Sequence, residues 1–471
     1  MVFASLVFLA IFLPINLIGY YLLRTTPLRN AWMIVSSLVF YAWGEPLWVG
    51  LLIFTTIFDY FNGRIVERFR DRVWAKVGVA VCLVVNLAML ATFKYSGFIV
   101  ENINTLSGLP LSVPAFSLPI GISFYTFQSI SYVIDVYRGQ HKAQTSYPKF
   151  LLFVSMYHQL VAGPIVRYSH IAAEIDNRVN TFADFSSGVS RFCLGLLKKV
   201  VFANIAGEFV RRFLDGDLSS ISSGEAFFGL FSFSLQIYFD FSGYSDMAIG
   251  LGRMFGFHYH ENFNHPYIAR SATDFWRRWH MSLGSFFRDY VYIPMGGRRR
   301  RMYLNLLVVW FLTGLWHGAS WNFVIWGLYF GFLIAIEKLF LGRLLDRLPA
   351  FVGHVYLLTA VIASWAVFYF TDMGRLAGFA RALTGANGGP VVTVELASLL
   401  RENIFWLIAA ILMCTPVFGY VKKTLAAFVE HRPRLILPAG SAQICLNVVM
   451  LMVSLSMLVG RTYNPFLYFR F

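Results

Sequence analysis

The sequence predicts an all-α polytopic membrane protein, and three observations support that prediction. Hydrophobic residues make up 58% of the 471-residue chain and charged residues only 13%, which is far from the balance of a soluble domain. About ten apolar runs approach the roughly 20 residues that a membrane-spanning helix needs. These runs are spread evenly, so we expect one membrane-embedded domain over residues 1–471 rather than a soluble domain with an anchor.

The charge of the chain fits a membrane environment. Lys and Arg number 39 against 24 Asp and Glu, a formal charge of +15. Such an excess lies mostly in cytoplasmic loops and beside the headgroups of membrane lipids, so nucleic acid is not implied. The basic loop at residues 62–76 is expected in the cytoplasm, which puts the N-terminus outside. The four cysteines stand singly, without metal or disulfide spacing, and no metal is expected.

The apolar runs give the expected helices. They lie at residues 3–23, 31–43, 46–62, 77–93, 148–166, 224–248, 303–341, 351–370, 404–421 and 442–460. Residues 180–214 are amphipathic instead, which predicts a helix along the cytoplasmic interface. Residues 118–132 carry a polar and aromatic face, which suits either a cavity wall or a helix packed against its neighbours through small residues.

A histidine stands inside one of these apolar runs, at position 317. An ionisable residue at membrane depth is costly unless it faces protein or a water-filled cavity, and the flanking Gly314 and Gly318 suggest a lined hole. Imidazole exchanges protons near neutral pH, which makes His317 a candidate general base. The alternative is a packed histidine that only bonds a neighbouring helix.

Two carboxylates, Asp240 and Asp246, lie in another apolar run. Each would cost about 2.5 to 3.5 kcal/mol at the centre of a bilayer, so each needs a partner. The next segment, residues 261–283, offers Arg270, Arg277 and Arg278 as candidate partners. Paired carboxylates suit acid–base chemistry, but structural ion pairing is the more common reason for such groups.

The segment after these carboxylates predicts a half-inserted helix. Ser271 or Thr273 can cap a helix that begins near Asp274, and the following Trp and Arg residues make it amphipathic. His280 lies at its end and is a second histidine that can hold a reacting group. The alternative is an interfacial histidine that bonds a lipid headgroup or a carbonyl.

Two further features complete the set of candidates. A basic cluster that contains Arg298, Arg299 and Arg300 precedes the run that holds His317. It suits either anionic lipids or the phosphates of a soluble cofactor. The tail, residues 461–471, is aromatic and contains Tyr468. It can anchor the chain at the membrane interface, or Tyr468 can enter a cavity.

Four motifs together resemble the membrane-bound O-acyltransferase superfamily, most closely its bacterial alginate O-acetyltransferase branch. They are Ile120-Gly-Ile-Ser-Phe-Tyr125, Tyr238-Phe-Asp-Phe-Ser-Gly-Tyr-Ser-Asp-Met-Ala248, Phe275-Trp-Arg-Arg-Trp-His-Met-Ser-Leu283 and Gly314-Leu-Trp-His-Gly318. The resemblance implies a ring of tilted helices around a thin centre with a tunnel, in the bacterial inner membrane. It also implies that His317 is the essential histidine and His280 the second polar position of the site.

The same resemblance implies the reaction and its partners. The donor is acetyl-CoA in the cytoplasm, and the final acceptor is an exported polysaccharide, alginate-like or cellulose-like. A periplasmic SGNH-type acetyltransferase or carrier protein takes over the acetyl group, within a complex for polysaccharide synthesis and export. Tyr468 resembles the tyrosine of a small partner in teichoic-acid D-alanylation, which suggests an internal acetyl carrier.

Two other functions are compatible with the residues alone. A proton-coupled transporter for a sugar or a lipid-linked glycan can use Asp240, Asp246 and His317 as a relay. A scaffold of an export complex would tolerate the loss of His317. The sequence shows no repeat symmetry of the kind that many transporters have, and this favours the acyltransferase.

Overall fold

The computed structural model describes residues 1–459 and Leu467. Every regular element in this part of the chain is a helix, which confirms the all-α prediction. The contacts divide the chain into two units, Met1–Phe192 with Tyr244–Glu261, and Cys193–Gly243 with Asn262–Phe471. The single domain over residues 1–471 stays a prediction, and each unit is described by itself below.

The first unit is built mainly from the N-terminal helices. They are Leu13–Leu22, Thr26–Gly44, Val49–Arg68, Val73–Leu90, Ser96–Ser107, Ile122–Tyr137, Tyr147–Ser155, Tyr157–Leu160 and Tyr168–Asp176, with π-helical turns at Phe8–Phe12 and Ala91–Tyr95. Helix Ile122–Tyr137 contains the predicted polar face and is buried along nearly its whole length. Its Ser, Thr and Gln side chains therefore lie inside the unit, as in a helix packed against its neighbours.

The second unit contains the C-terminal helices. They are Asn204–Val210, Ala272–Arg278, Met281–Phe287, Met302–His317, Trp321–Ile336, Gly342–Leu345, Ala350–Tyr369, Met373–Leu383, Val394–Glu402, Ile404–Met413, Val417–Glu430 and Ile436–Val459, with π-helical turns at Lys198–Ala203, Arg211–Asp215, Arg288–Tyr292 and Glu337–Leu341 and short 3-10 turns at Pro266–Ile268 and Pro433–Leu435. Helices Phe182–Leu197 and Ser223–Met254 each contribute residues to both units.

Fewer of the described helices are long and apolar enough to span a membrane than the sequence predicts. Within the described residues, five helical stretches are long and apolar enough, and a sixth if the pair Val394–Glu402 and Ile404–Met413, bent by 66°, crosses as one. The expected run at 148–166 is broken, because its helix ends at Ser155 and a short one follows. Ser223–Met254 is not among these candidate spans. Helices that pack against protein rather than lipid also carry polar residues, and this helix contains Asp240 and Asp246.

The two buried carboxylates have partners other than the expected arginines. Asp240 lies 2.5 Å from Lys199 Nζ in the second unit, and Asp246 lies 2.6 Å from Arg191 Nη2 in the first. The prediction of Arg270, Arg277 and Arg278 as partners is wrong; Arg278, for example, pairs with Asp274.

Helix packing explains these partners. In the second unit a Cβ at Gly243 would lie 2.8 Å from the carbonyl oxygen of Gly195 and 3.1 Å from the backbone nitrogen of Lys199. The absence of a side chain at Gly243 therefore lets the two backbones approach and brings Lys199 to Asp240. The prediction of a helix lying along the interface at residues 180–214 is wrong for Lys199, which is buried with an exposure of 4%.

The helix that ends at His317 packs closely against the next one. A Cβ at Gly314 would lie 2.4 Å from the carbonyl oxygen of Phe323, and a Cβ at Gly318 would lie 2.3 Å from the ring of Phe323. Phe323 thus occupies the space beside both glycines. The interpretation of these glycines as the lining of a hole is wrong, because their role is to let two helices meet.

Candidate active site

His317 is the last residue of helix Met302–His317 and lies among aromatic rings. Its exposure is 8%. The imidazole meets Trp316, Trp326 and Phe368 edge to face, at centroid distances of 4.9, 5.0 and 5.3 Å. These contacts fix the orientation of the ring, and a general base needs a fixed orientation toward the proton that it removes.

His280 is held in a turn with an unusual backbone. Its φ of 45° lies in the left-handed region, which is uncommon for residues other than glycine and often marks functional positions. Helix Met281–Phe287 begins directly after it, and Ser271 caps the preceding helix, as the sequence predicts. Asn262 stabilises the turn, because its carbonyl oxygen accepts from the backbone N–H of Met281 at 3.0 Å.

The contacts of Asn262 also define the tautomer of His280. The Asn262 Oδ1 atom accepts the backbone N–H of Ser282 at 3.2 Å, which identifies that atom as the oxygen. His280 Nδ1 lies 3.2 Å from the same oxygen and therefore donates its proton to it. Burial lowers the pKa of His280, which lies outside the candidate membrane spans, to about 3. The neutral ring then presents a lone pair at Nε2.

The Nε2 atom of His280 is buried and has no hydrogen-bond partner among the described residues. A buried polar atom without a partner costs free energy, and such atoms in native proteins often belong to functional sites. Because this nitrogen accepts rather than donates, it suits a hydroxyl or an amide N–H of a bound molecule. An acceptor at this position suits the orientation of a substrate, whereas stabilising an oxyanion would need a hydrogen-bond donor.

One indole brings the two histidines together. The ring of Trp316 lies 5.6 Å from the ring of His280 and 4.9 Å from that of His317, measured between centroids. Phe241 meets His280 edge to face at 4.6 Å. Three of the four sequence motifs thus contribute to one cluster in the second unit.

The structure also contains site residues that the sequence reasoning missed. Asn262, Trp326 and Phe368 contact the two histidines, and none of them stands in the four motifs. Trp and Phe are frequent throughout this chain, so their position gave no signal. Asn262 is a polar residue that stands before the two short helices flanking His280. Its position there was the available sign that it could belong to the site.

The predicted phosphate-binding arginines lie away from His317. Arg298, Arg299 and Arg300 are exposed in the loop before helix Met302–His317, so the 16 residues of that helix, about 24 Å, separate them from the imidazole. The amide of buried Asn305 donates to the carbonyl oxygens of Gly297 at 3.0 Å and Arg300 at 2.6 Å. The loop is therefore held in a defined conformation.

Tyr468 lies outside the described residues, but the residue before it is described. Leu467 is 4% exposed and belongs to the buried apolar cluster that includes Phe233, Trp365 and Phe368. Its backbone N–H donates to Asp240 Oδ2 at 2.8 Å. Leu467, the residue before Tyr468, is thus anchored to the apolar cluster that contains Phe368. Phe368 is also a neighbour of His317.

Leu467 also lines a cavity in the second unit. The cavity has a volume of about 390 Å³ and is lined by Asp215, Phe233, Tyr369, Phe370, Thr371, Asp372, Arg375 and Leu467. Tyr369 donates a hydrogen bond to Asp215, and Arg375 donates to the carbonyl oxygen of Leu214 at 2.8 Å. The lining therefore combines aromatic rings with polar groups.

Comparison with known proteins gives the class of the chain. Residues 140–379 match the model of the membrane-bound O-acyltransferase family, MBOAT. This region contains both histidines and three of the four motifs. The chain belongs to this family and is a multi-pass membrane O-acyltransferase.

Individual relatives are similar over most of their length. A probable alginate O-acetylase, AlgI, of Azotobacter vinelandii is 36% identical over 100% of both chains. A probable alginate O-acetylase of Pseudomonas aeruginosa is 40% identical over 78% of this chain and 72% of its own. The peptidoglycan O-acetyltransferase of Helicobacter pylori is 30% identical over 85% and 82%. These similarities favour the acyltransferase over a transporter or a scaffold.

Proposed function

We propose that the protein transfers acetyl groups from cytoplasmic acetyl-CoA, through a tunnel in the membrane, for O-acetylation of an exported polysaccharide. The observation that carries the proposal is the pair of histidines on Trp316, with an unpartnered His280 Nε2 beside the candidate base His317. The relatives named for acetylation of alginate and peptidoglycan support a glycan polymer as the final acceptor. A periplasmic transferase or carrier completes the delivery.

The chemical step follows from the nature of the two ligands. A hydroxyl oxygen attacks the carbonyl carbon of the thioester while His317 takes the hydroxyl proton, a contribution typically of 10² to 10⁴ in rate. The C–S bond breaks, and the thiolate of CoA receives the proton from the imidazolium. His280 accepts a hydrogen bond at Nε2 from the bound donor or acceptor and fixes its position. Only the acetyl group needs to cross, because CoA is large and charged.

Tyr468 is the proposed first acceptor. Phenols and thiols are comparable leaving groups, so an aryl acetate on this tyrosine would keep much of the transfer potential of the thioester. In the second step a hydroxyl of the partner or of the polymer attacks this ester, and the phenol recovers its proton. The second hydroxyl is proposed to approach through the cavity that Leu467 lines.

An isotope experiment tests the proposal. Purified full-length protein is given acetyl-CoA with a labelled acetyl group, and the chain is analysed by mass spectrometry. We expect the label on Tyr468 and none on a Tyr468→Phe variant. Label that appears on neither Tyr468 nor an added partner or polymer would refute acetyl transfer by this chain.

The exposed arginines give a separate prediction. Replacing Arg298, Arg299 and Arg300 together by Gln should raise the KM for acetyl-CoA about tenfold, or about 1.4 kcal/mol, because exposed charge pairs each contribute less than about 1 kcal/mol. The kcat should not change, because the arginines would bind the nucleotide equally in the ground and transition states. Steady-state kinetics measures both values.

A matched control distinguishes a general effect of lost positive charge from the loss of a specific CoA-binding site. Arg343 and Arg347 are also exposed and lie in and just after the short helix Gly342–Leu345 of the same unit. Their replacement by Gln should leave the KM unchanged. An unaltered KM in the triple variant would remove the CoA-binding role from Arg298, Arg299 and Arg300.

A further inference from the structure

Asp240 has two different partners, one for each carboxylate oxygen. Lys199 Nζ lies 2.5 Å from Oδ1, and the backbone N–H of Leu467 donates to Oδ2 at 2.8 Å. The side chains of Lys199 and Asp240 are only 4% and 3% exposed. A buried ion pair is weak evidence for stability by itself, since apolar residues often replace such pairs without loss. The hydrogen bond from the Leu467 N–H to Asp240 therefore points to a role of the pair beyond stability.

The second contact fixes the chain next to Tyr468. A carboxylate that accepts a backbone N–H forms a charge-assisted hydrogen bond, which is stronger than a neutral one. The leucine side chain packs in the apolar cluster that includes Phe368, and Phe368 also meets His317 at 5.3 Å. The backbone of Leu467 is thus bound by Asp240, and its side chain by the cluster that orients the candidate base.

We infer that Asp240, held by Lys199, is a positioning residue that anchors Leu467, the residue before the proposed acceptor Tyr468, for acetyl transfer. This inference rests on the proposed function, because it concerns the delivery of the proposed acceptor. Lys199 neutralises the carboxylate and leaves Oδ2 oriented toward the Leu467 N–H. The pair contributes to the reaction through the tail and does not touch the reacting atoms.

The alternative is that the pair only stabilises the fold, and two double variants separate the possibilities. K199M/D240L removes both charges and also removes the acceptor for the Leu467 N–H. K199M/D240N removes both charges but keeps a carbonyl oxygen at the position of the carboxylate. Both variants replace a buried pair by neutral side chains, so both are expected to fold.

Hydrogen exchange of the Leu467 amide in the full-length protein measures the anchoring directly. We expect K199M/D240L to exchange this amide about tenfold or more faster than the wild type, since a hydrogen bond to a charged group contributes about 1.5 to 3 kcal/mol. K199M/D240N should keep most of the protection. Labelling of Tyr468 by acetyl-CoA should fall in the first variant and be largely retained in the second.

Two outcomes would overturn the inference. One is wild-type protection of the Leu467 amide in K199M/D240L, and the other is equal loss of protection in both double variants. His317→Ala and Tyr468→Phe separate this test from that of the proposed function. Both variants should lose the label on Tyr468 and keep the Leu467 amide protected, so acetyl transfer can fail while the anchoring stands.

Discussion

His317→Ala is expected to lower the rate of acetyl transfer by 10² to 10⁴, because it removes the proposed general base for the attacking hydroxyl. The ring lies at the end of helix Met302–His317 and makes its contacts mainly with aromatic side chains. The measurement is the initial rate of label transfer from acetyl-CoA to Tyr468, or to the polymer in cells.

The control for this variant is another histidine. His431 is exposed in the second unit, and its replacement by Ala should leave the rate unchanged. The amount of His317→Ala protein in the membrane should also remain close to that of the wild type. Acetylation at the normal rate in His317→Ala would show that the imidazole is not the base.

Asp240→Leu alone is expected to destabilise the protein by about 3 to 5 kcal/mol, because it leaves the buried ammonium of Lys199 without this carboxylate. The double variant K199M/D240L should recover most of the loss. Thermal unfolding in detergent measures both, and the melting temperature of the single variant should be clearly the lower.

An exposed ion pair provides the comparison for Asp240. Arg212 and Glu395 lie 2.6 Å apart, with side chains 55% and 49% exposed. Replacing Glu395 by Gln should cost less than about 1 kcal/mol, because water screens an exposed pair. If Asp240→Leu melts like the wild type, or if the double variant is as unstable as the single one, the pair does not stabilise the buried helices.

His317 could be predicted from the sequence because ionisable residues are rare in apolar surroundings. His280 lies in an amphipathic segment and was predicted through its motif, and the structure places both rings against one indole. Their aromatic neighbours could not be found in the same way. Trp326 and Phe368 resemble the many other aromatic residues of the chain, and only the packing of the helices selects them.

The partners of the carboxylates were missed for a different reason. The expected partners lie in the segment that follows the carboxylates, whereas Lys199 and Arg191 come from a preceding helical segment. Ion pairs between helices depend on which helix faces meet, and this is a long-range property. The choice of partners from the following segment was therefore wrong.

A signal for the correct pairing was present in the glycines. A Cβ at Gly243 would meet the Gly195 carbonyl, and a Cβ at Gly250 would meet the Gly188 carbonyl. Both helices therefore carry two glycines seven residues apart. Matching small residues on two helices indicate faces that can approach closely, and this spacing would have predicted the helix that supplies the cations.

The contact between Leu467 and Asp240 has a consequence for kinetics. The proposed acceptor is tethered to the enzyme through its own backbone, so the first acetyl transfer is a unimolecular event within the loaded protein. Its rate should then be independent of dilution and of expression level. A separate carrier subunit would instead have to be encountered by diffusion, and its supply would set the rate whenever it is scarce.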